Sequence, residues 1–382
     1  MWDLIRLIAV LLALLSAAGT ATAAPFGDRP DARHAWAVHD DHRPEAPKIE
    51  VPDGGVPSDA IRLFDGTEKS IRDHWCDQNG SPSKWTVNDG CFVCTPGSGG
   101  AFTREHFADC QLHVEFKIPN PPGEGHGNSG VILQSRYEVQ IIDSHTVIPS
   151  PDPRERAWTR GDYADGQAGA VYGQHPPLVN PARAPGEWQS YDILFHPPRF
   201  EKGERIDAGS LTVLMNGVVV QDAWPLEGRC KWRLRADPDD HVEFGPLRLQ
   251  DHGHPVAFRN IWIRRIPSRF SDRVCGGSGV DLRAVAEQRE RNFSTTLAWA
   301  KTLTDPEKKV FAFAEAWSYK PDPEVRRLLD AAAEECLEVW KSGKTKPGPH
   351  VGYFADMCRR FSIFPEESAF LKYALDCVRT FL

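Results

Sequence analysis

Between about Ser58 and Pro267, apolar and polar residues alternate with a period of two. Leu112, Val114, Phe116 and Ile118 interleave with Gln111, His113, Glu115 and Lys117. Ile193 and Phe195, the file Leu211–Val213–Met215, then Leu247 and Leu249, and Ile261 and Ile263, repeat the pattern. Successive side chains of a strand point to opposite faces, so each file predicts a strand with one apolar face. Asn216-Gly217 separates Leu211–Met215 from Val218–Val220, and this pair favours a two-residue hairpin turn. Many short strands with turns between them and no helical period predict a sandwich or barrel. From about Gly279 the period changes. Val310, Phe313, Ala314 and Trp317 recur at helical spacing, as do Val325, Leu328, Leu329, Ala332 and Cys336, and Phe370, Tyr373, Ala374 and Cys377. Asp305-Pro306-Glu307, Asp322-Pro323-Glu324 and Phe364-Pro365-Glu366 each put a proline at a first helical position. Residues 268–382 are therefore expected to form a helical domain, with Gly276–Gly279 as the hinge before it.

The stretch Gly127–His145 stands out from the other strands. Tyr137, Val139 and Ile141 point one way, and Arg136, Glu138 and Gln140 the other. A solvated face ordinarily carries Lys, Thr and Ser; here a guanidinium, a carboxylate and an amide stand in file. Asp143 and His145 follow at the strand's end, where functional groups collect. Gly127-Asn128-Ser129-Gly130 before it leaves room for close approach of backbone or ligand. The alternative is a strand whose outer face is polar by accident. Two long irregular stretches, 148–168 and 175–187, are expected to wall a groove over this face. Trp158, Tyr163, Tyr172, His175 and Trp188 lie in or beside them, either to stack on a sugar ring or to pin the loops.

Residues 1–24 read as a secretory signal: Arg6, the apolar run Leu7–Leu15, and an A-x-A site at Ala21–Ala23. That run is short for a membrane span, which needs ~20 residues. A secreted or periplasmic protein with no stable span after cleavage is expected. Residues 25–57 show no apolar period and read as a disordered leader or linker. Net charge is −8 with no basic tract, which argues against nucleic acid as a partner. The nine cysteines are an odd count for an exported chain, so at least one has no intrachain mate. Cys91 and Cys94 face opposite sides of a strand, and most of these thiols are expected to be small buried hydrophobes. Asn292-Phe293-Ser294 matches a glycosylation sequon but falls inside a helical pattern.

Several motifs occur in an order that resembles one family. They are Leu63-Phe64-Asp65-Gly66, Gly127–His145, Gly169-Ala-Val-Tyr-Gly, Gly186-Glu-Trp-Gln-Ser-Tyr-Asp, Leu211–Val218 and Gly245-Pro-Leu-Arg-Leu-Gln-Asp-His-Gly. Together they resemble the 3-keto-disaccharide hydrolase-like family over about Ala60–Ile266. The resemblance implies a concanavalin A-like (laminin G-like) jelly-roll sandwich for residues 58–267. It also implies cleavage of glycosides whose sugar is oxidised to a ketone at C3. Asp109-Cys110 departs from the family's pattern, a change that touches packing more than chemistry.

A ketone at C3 acidifies the C2 hydrogen, so loss of the C1 aglycone can proceed by elimination, with water then added to the enone. That route needs a base near C2–H, a donor for the enolate oxygen and an acid for the leaving oxygen. Glu138 is the first candidate for base or acid, with Arg136 two residues, ~7 Å, away on the same face. His145 and His252 are the alternatives. Arg136, Arg104 or Gln250 is expected to hold the ketone oxygen, with Gln140, Asn128, Asp143, Tyr172 and Trp188 completing the sugar site. A divalent metal is the other way to polarise a ketone, and His113 and Glu115, on one face of their strand, are its candidate ligands. No cofactor is required by the residues themselves. A carbohydrate-binding module without catalysis, or a structural surface protein, fits the same fold, and fold alone does not choose among them.

Overall fold

The computed structural model describes residues 27–40, 42–53, 55–123, 125–146, 163–237, 241–267, 282–348 and 350–379. The signal-like segment, Trp158 and the Gly276–Gly279 hinge lie outside the described residues.

The period-two files form two antiparallel sheets. The larger contains β1 (Ile61–Phe64), β3 (Thr86–Asn88), β4 (Cys91–Val93), β6 (Cys110–Lys117), β9 (Gln189–His196), β12 (Ser210–Met215), β13 (Val218–Pro225) and β15 (Ala257–Arg265). Its order is β13-β12-β9-β6-β15-β4-β3, with β1 also on β15. A bulge between Arg259 and Trp262, where Asn260 has φ 46°, shifts the β15 register against β6. β4 pairs with one end of β15 and β1 with the other. The smaller sheet runs β2 (Trp75–Cys76), β5 (Ala101–Phe107), β14 (Gly245–Leu249), β7 (Ser129–Leu133), β8 (Tyr137–Ile141). A separate hairpin joins β10 (Arg199–Glu201) to β11 (Glu204–Asp207). Asn216 and Gly217, at φ 52° and 80°, make the expected turn between β12 and β13.

The two sheets bury their apolar faces in one core. Phe92 is its aromatic centre, with ring centroids 5.4, 5.2 and 5.1 Å from Phe64, Trp75 and Trp85. Two of its indoles are satisfied by backbone: Trp75 donates to the Leu63 carbonyl and Trp85 to that of Gly99, each at 2.9 Å. Fully buried Cys110 belongs to this core, while Asp109 beside it pairs with Arg199 and, at 2.7 Å, with His196. The sandwich is consistent with a jelly roll.

The helices are α1 (Glu68–His74), inside the sandwich unit, and α2 (Leu282–Ala300), α3 (Pro306–Tyr319), α4 (Pro323–Lys341), α5 (Val351–Arg360) and α6 (Ala369–Arg379) after it. Asp305 and Asp322 cap α3 and α4 through their carboxylates, with proline in the first turn. The third proline does not start a helix: α6 begins at Ala369, after a turn in which the Ser368 amide bonds back to Pro365. Asn292 is buried in α2 and its amide donates to the Ala35 carbonyl at 3.0 Å, so the sequon has a structural task.

One expectation is corrected by the helical unit. The described residues up to Pro47, read from sequence as part of a disordered leader, group with these helices. Ala35 is fully buried, His42 Nδ1 sits 2.7 Å from Glu315, and buried Asp40 accepts from the Tyr319 hydroxyl. Polar clasps of this kind leave no apolar period, so the sequence pattern missed them. Tyr319→Phe leaves a buried carboxylate one donor short and should destabilise the helical unit by ~1–3 kcal/mol. Chemical denaturation of the full chain, followed by a probe in α3, would show it as a lower midpoint.

Candidate active site

The site is built on the outer face of the smaller sheet. β7 and β8 form a hairpin in which Val131 opposes Val139 and Ile132 opposes Glu138. Tyr137, Val139 and Ile141 have no exposed surface and fill the core, which turns Glu138 and Gln140 outward. The Tyr191 hydroxyl, reaching from β9, donates to the Gln140 carbonyl at 2.6 Å and fixes β8 from within.

The free edge of β8 is covered by the Gly169–Gly173 motif. Gly169 N–H donates to the Gln140 carbonyl, Gln140 N–H to Ala170 and Tyr172 N–H to Glu138, each at 3.0 Å. This carries Tyr172 to Glu138, and the Tyr172 hydroxyl lies 3.0 Å from that of Tyr163. Cys230 closes the same edge, its sulfur accepting from the Glu138 amide at 3.4 Å and from the Gln174 side chain at 3.3 Å. Burial pushes its thiol up to about 12, so it is a neutral wall group.

The result is a cleft of about 480 Å³ with Glu138, Gln140, Gln250 and Asn128 on the floor side and Tyr163, Tyr172, Cys230, Trp232 and His252 completing it. Glu138 is 9% exposed, and burial pushes its carboxyl up to about 7, partly offset by the Arg248 guanidinium. Arg248 pairs with Ile132, which pairs with Glu138, so cation and carboxyl share a row across the sheet. No hydrogen bond reaches the Glu138 carboxyl from the described residues. The buried side-chain oxygens of Gln140 and Gln250 and the Nε of Arg248 likewise have no partner. Of these, Gln140 and Gln250 line the cleft, and unspent polar groups there are what a polyhydroxyl ligand satisfies. Gly130 makes the arrangement possible, because a Cβ there would lie 2.5 Å from Glu138 Oε1.

Of the residues singled out by sequence, Glu138, Gln140, Asn128, Tyr163, Tyr172, Gln250 and His252 come together here. The others do not. Arg136 lies in the turn before β8, where strand alternation has not begun, and donates to the Gln134 carbonyl at 3.3 Å. Arg104 is spent on the carbonyls of Arg72 and Gly80. Asp143 organises its own turn, accepting from the amides of His145 and Thr146 and from the Thr146 hydroxyl. His145 is exposed and its ring faces the Ala182 carbonyl. Trp188 is held between Lys117 and Arg259, 4.8 and 4.0 Å from its ring centroid. The proposed metal pair belongs to the other sheet. There His113 Nδ1 lies 2.7 Å from Asp192, and Glu115 accepts from Arg259 and Asn260. Among the described residues they gather no third ligand; the one such group is Asp40, His42 and Glu315 in the helical unit.

Sequence reasoning passed over Arg248, Cys230 and Trp232. Arg248 was legible, since it stands two residues from Gln250 on the same strand face. The two loop residues had no period to reveal them.

A family profile, the 3-keto-alpha-glucoside-1,2-lyase-like domain, matches residues 59–264. The chain belongs to that family. A 3-keto-disaccharide hydrolase of Bacteroides thetaiotaomicron is 26% identical over 252 residues, 55% of this chain and 80% of the relative. A crystal structure assigned as a glycosyl hydrolase of Parabacteroides distasonis is 35% identical, with a TM-score of 0.51, covering 61% of this chain and 98% of that one. Family membership makes the sandwich a glycosyl hydrolase-like domain.

Proposed function

We propose that this cleft cleaves glycosides whose sugar carries a ketone at C3, with Glu138 as the base that removes the C2 proton. The observation that carries the reading is a single buried carboxyl poised near neutrality among amides, a phenol and a cation. Standard retaining or inverting glycosidases use two carboxyls ~5–9.5 Å apart across the bond. Among the described residues that line this cleft, no other carries a carboxyl. One base beside groups that hold an oxyanion suits proton abstraction next to a ketone.

The electron pair of the C2–H bond forms C1=C2 as the C1–O bond breaks, and the aglycone oxygen leaves with a proton. Tyr172, a wall of the cleft whose hydroxyl lies 3.0 Å from that of Tyr163, is our candidate donor. His252, on the same wall, is the second donor. Arg248 and the amides of Asn128, Gln140 and Gln250 bind the ketone oxygen and sugar hydroxyls. Water then adds across the enone, OH at C1 and H at C2, completing net hydrolysis. The reading extends to export, on the signal-like residues 1–24; among the described residues no helix is long and apolar enough to cross a membrane.

One disaccharide assayed before and after oxidation at C3 tests the reaction. Release of the aglycone from the oxidised form alone is expected. Equal cleavage of both would remove the specificity, and binding of the oxidised form without turnover would make the domain a binding module.

A further inference from the structure

A second cavity, about 640 Å³, adjoins the candidate active site and shares Tyr163, Tyr172 and Trp232 with it. The three shared side chains set the two cavities side by side. The far end of the second differs sharply from the Glu138 end, since among the described residues Lys231, Arg233 and Arg235 line it against one carboxylate, that of Asp165. None of the three cations has an ion-pair partner among the described residues. Net charge is −8, so the chain as a whole repels anions and this end stands out against its field. Trp232 is 64% and Leu234 67% exposed beside these cations, and the Arg233 guanidinium sits 4.8 Å from the Trp232 ring centroid. An exposed indole that lines a groove is a platform for the apolar face of a pyranose ring. A guanidinium beside it is suited to a carboxylate.

We propose that the residue leaving from C1 is an acidic sugar, a uronate, whose ring stacks on Trp232 and whose carboxylate is held by Arg233 and Arg235, with Lys231 adding to the field. The inference rests on the proposed reaction, because it assigns the oxidised sugar to the Glu138 end and the leaving residue to the cationic end. It identifies these side chains as specificity determinants with no part in the proton transfers.

Two C3-oxidised disaccharides, glucosyl-glucose and glucosyl-glucuronate, should be compared on the full chain. The acidic one should show a kcat/KM roughly tenfold higher or more, the scale of one charge-assisted hydrogen bond. Arg233→Ala with Arg235→Ala should cost the acidic substrate at least roughly tenfold more than the neutral one, and added salt should shrink the difference. A second readout needs no turnover: glucuronate and glucose are titrated against tryptophan fluorescence. Tighter binding of glucuronate, lost in the double variant, supports the subsite even where neither disaccharide is cleaved, and that outcome counts against the proposed reaction alone. Equal affinity for glucuronate and glucose, or a preference that survives in the double variant, overturns the subsite.

Discussion

Glu138→Gln should lower turnover by about 10²–10⁴-fold, the range expected for loss of a positioned general base. The same change should make the sandwich more stable at pH 8. Burial raises the Glu138 carboxyl to about 7 in the folded protein, against 4.5 as its ordinary value. Between those values the folded chain holds a proton that the unfolded chain has released, so stability falls as pH rises through this window. Above pH 7 the folded protein bears the whole cost of an ionised buried carboxyl, ~1–3 kcal/mol after allowance for Arg248. An amide carries no such cost, so the variant's advantage should be present at pH 8 and vanish below about pH 4.5. Denaturation midpoints and kcat measured on one preparation check both halves. In the parent enzyme kcat should rise with pH through about 7 as the base ionises. A stable variant with full activity would move the base to His252.

Gly130→Ala is expected to cost nearly as much activity while scarcely touching the fold. Its new Cβ would meet Glu138 at 2.5 Å from Oε1, 3.0 Å from Cγ and 3.1 Å from Cδ. The obstructed atoms run from Cγ to the carboxyl of a side chain that lines the cleft, and no hydrogen bond from the described residues holds that carboxyl. The carboxylate can therefore swing aside without disturbing the sheet. A displacement of ~1 Å from the reacting proton can cost about 10²-fold in rate. Stability should change by less than about 1 kcal/mol, because the backbone at Gly130 is ordinary strand that alanine adopts. Steady-state kinetics together with a denaturation midpoint separate this from a folding defect. Wild-type kcat in a folded Gly130→Ala protein would show that the Glu138 position does not govern the reaction.

Much of this architecture could be read from periodicity. β6, β9, β12, β14 and β15 follow the alternating files, and α3 and α4 begin at their Asp-Pro signals, because burial on one face imposes those periods directly. At the site, Glu138 and Gln140 were legible for the same reason, as they alternate with core residues. Arg136 failed because the alternation stops at a turn, and nothing in a residue list marks where β8 begins. Asp143, His145, Arg104 and Trp188 have suitable chemistry, but it is consumed by local hydrogen bonds and cation–ring contacts that depend on tertiary neighbours. Trp232, Arg233 and the clasp of Asp40 on Tyr319 were invisible because loops carry no period.

The central claim, proton abstraction at C2 of a 3-keto-glycoside, is tested most directly with a substrate bearing deuterium at C2. Cleavage in ordinary water should be slowed relative to the protonated compound, and the released sugar should have exchanged its deuterium for solvent hydrogen. Glu138→Gln should abolish the exchange together with cleavage. A released sugar that keeps its deuterium, formed at an unchanged rate, would contradict the account.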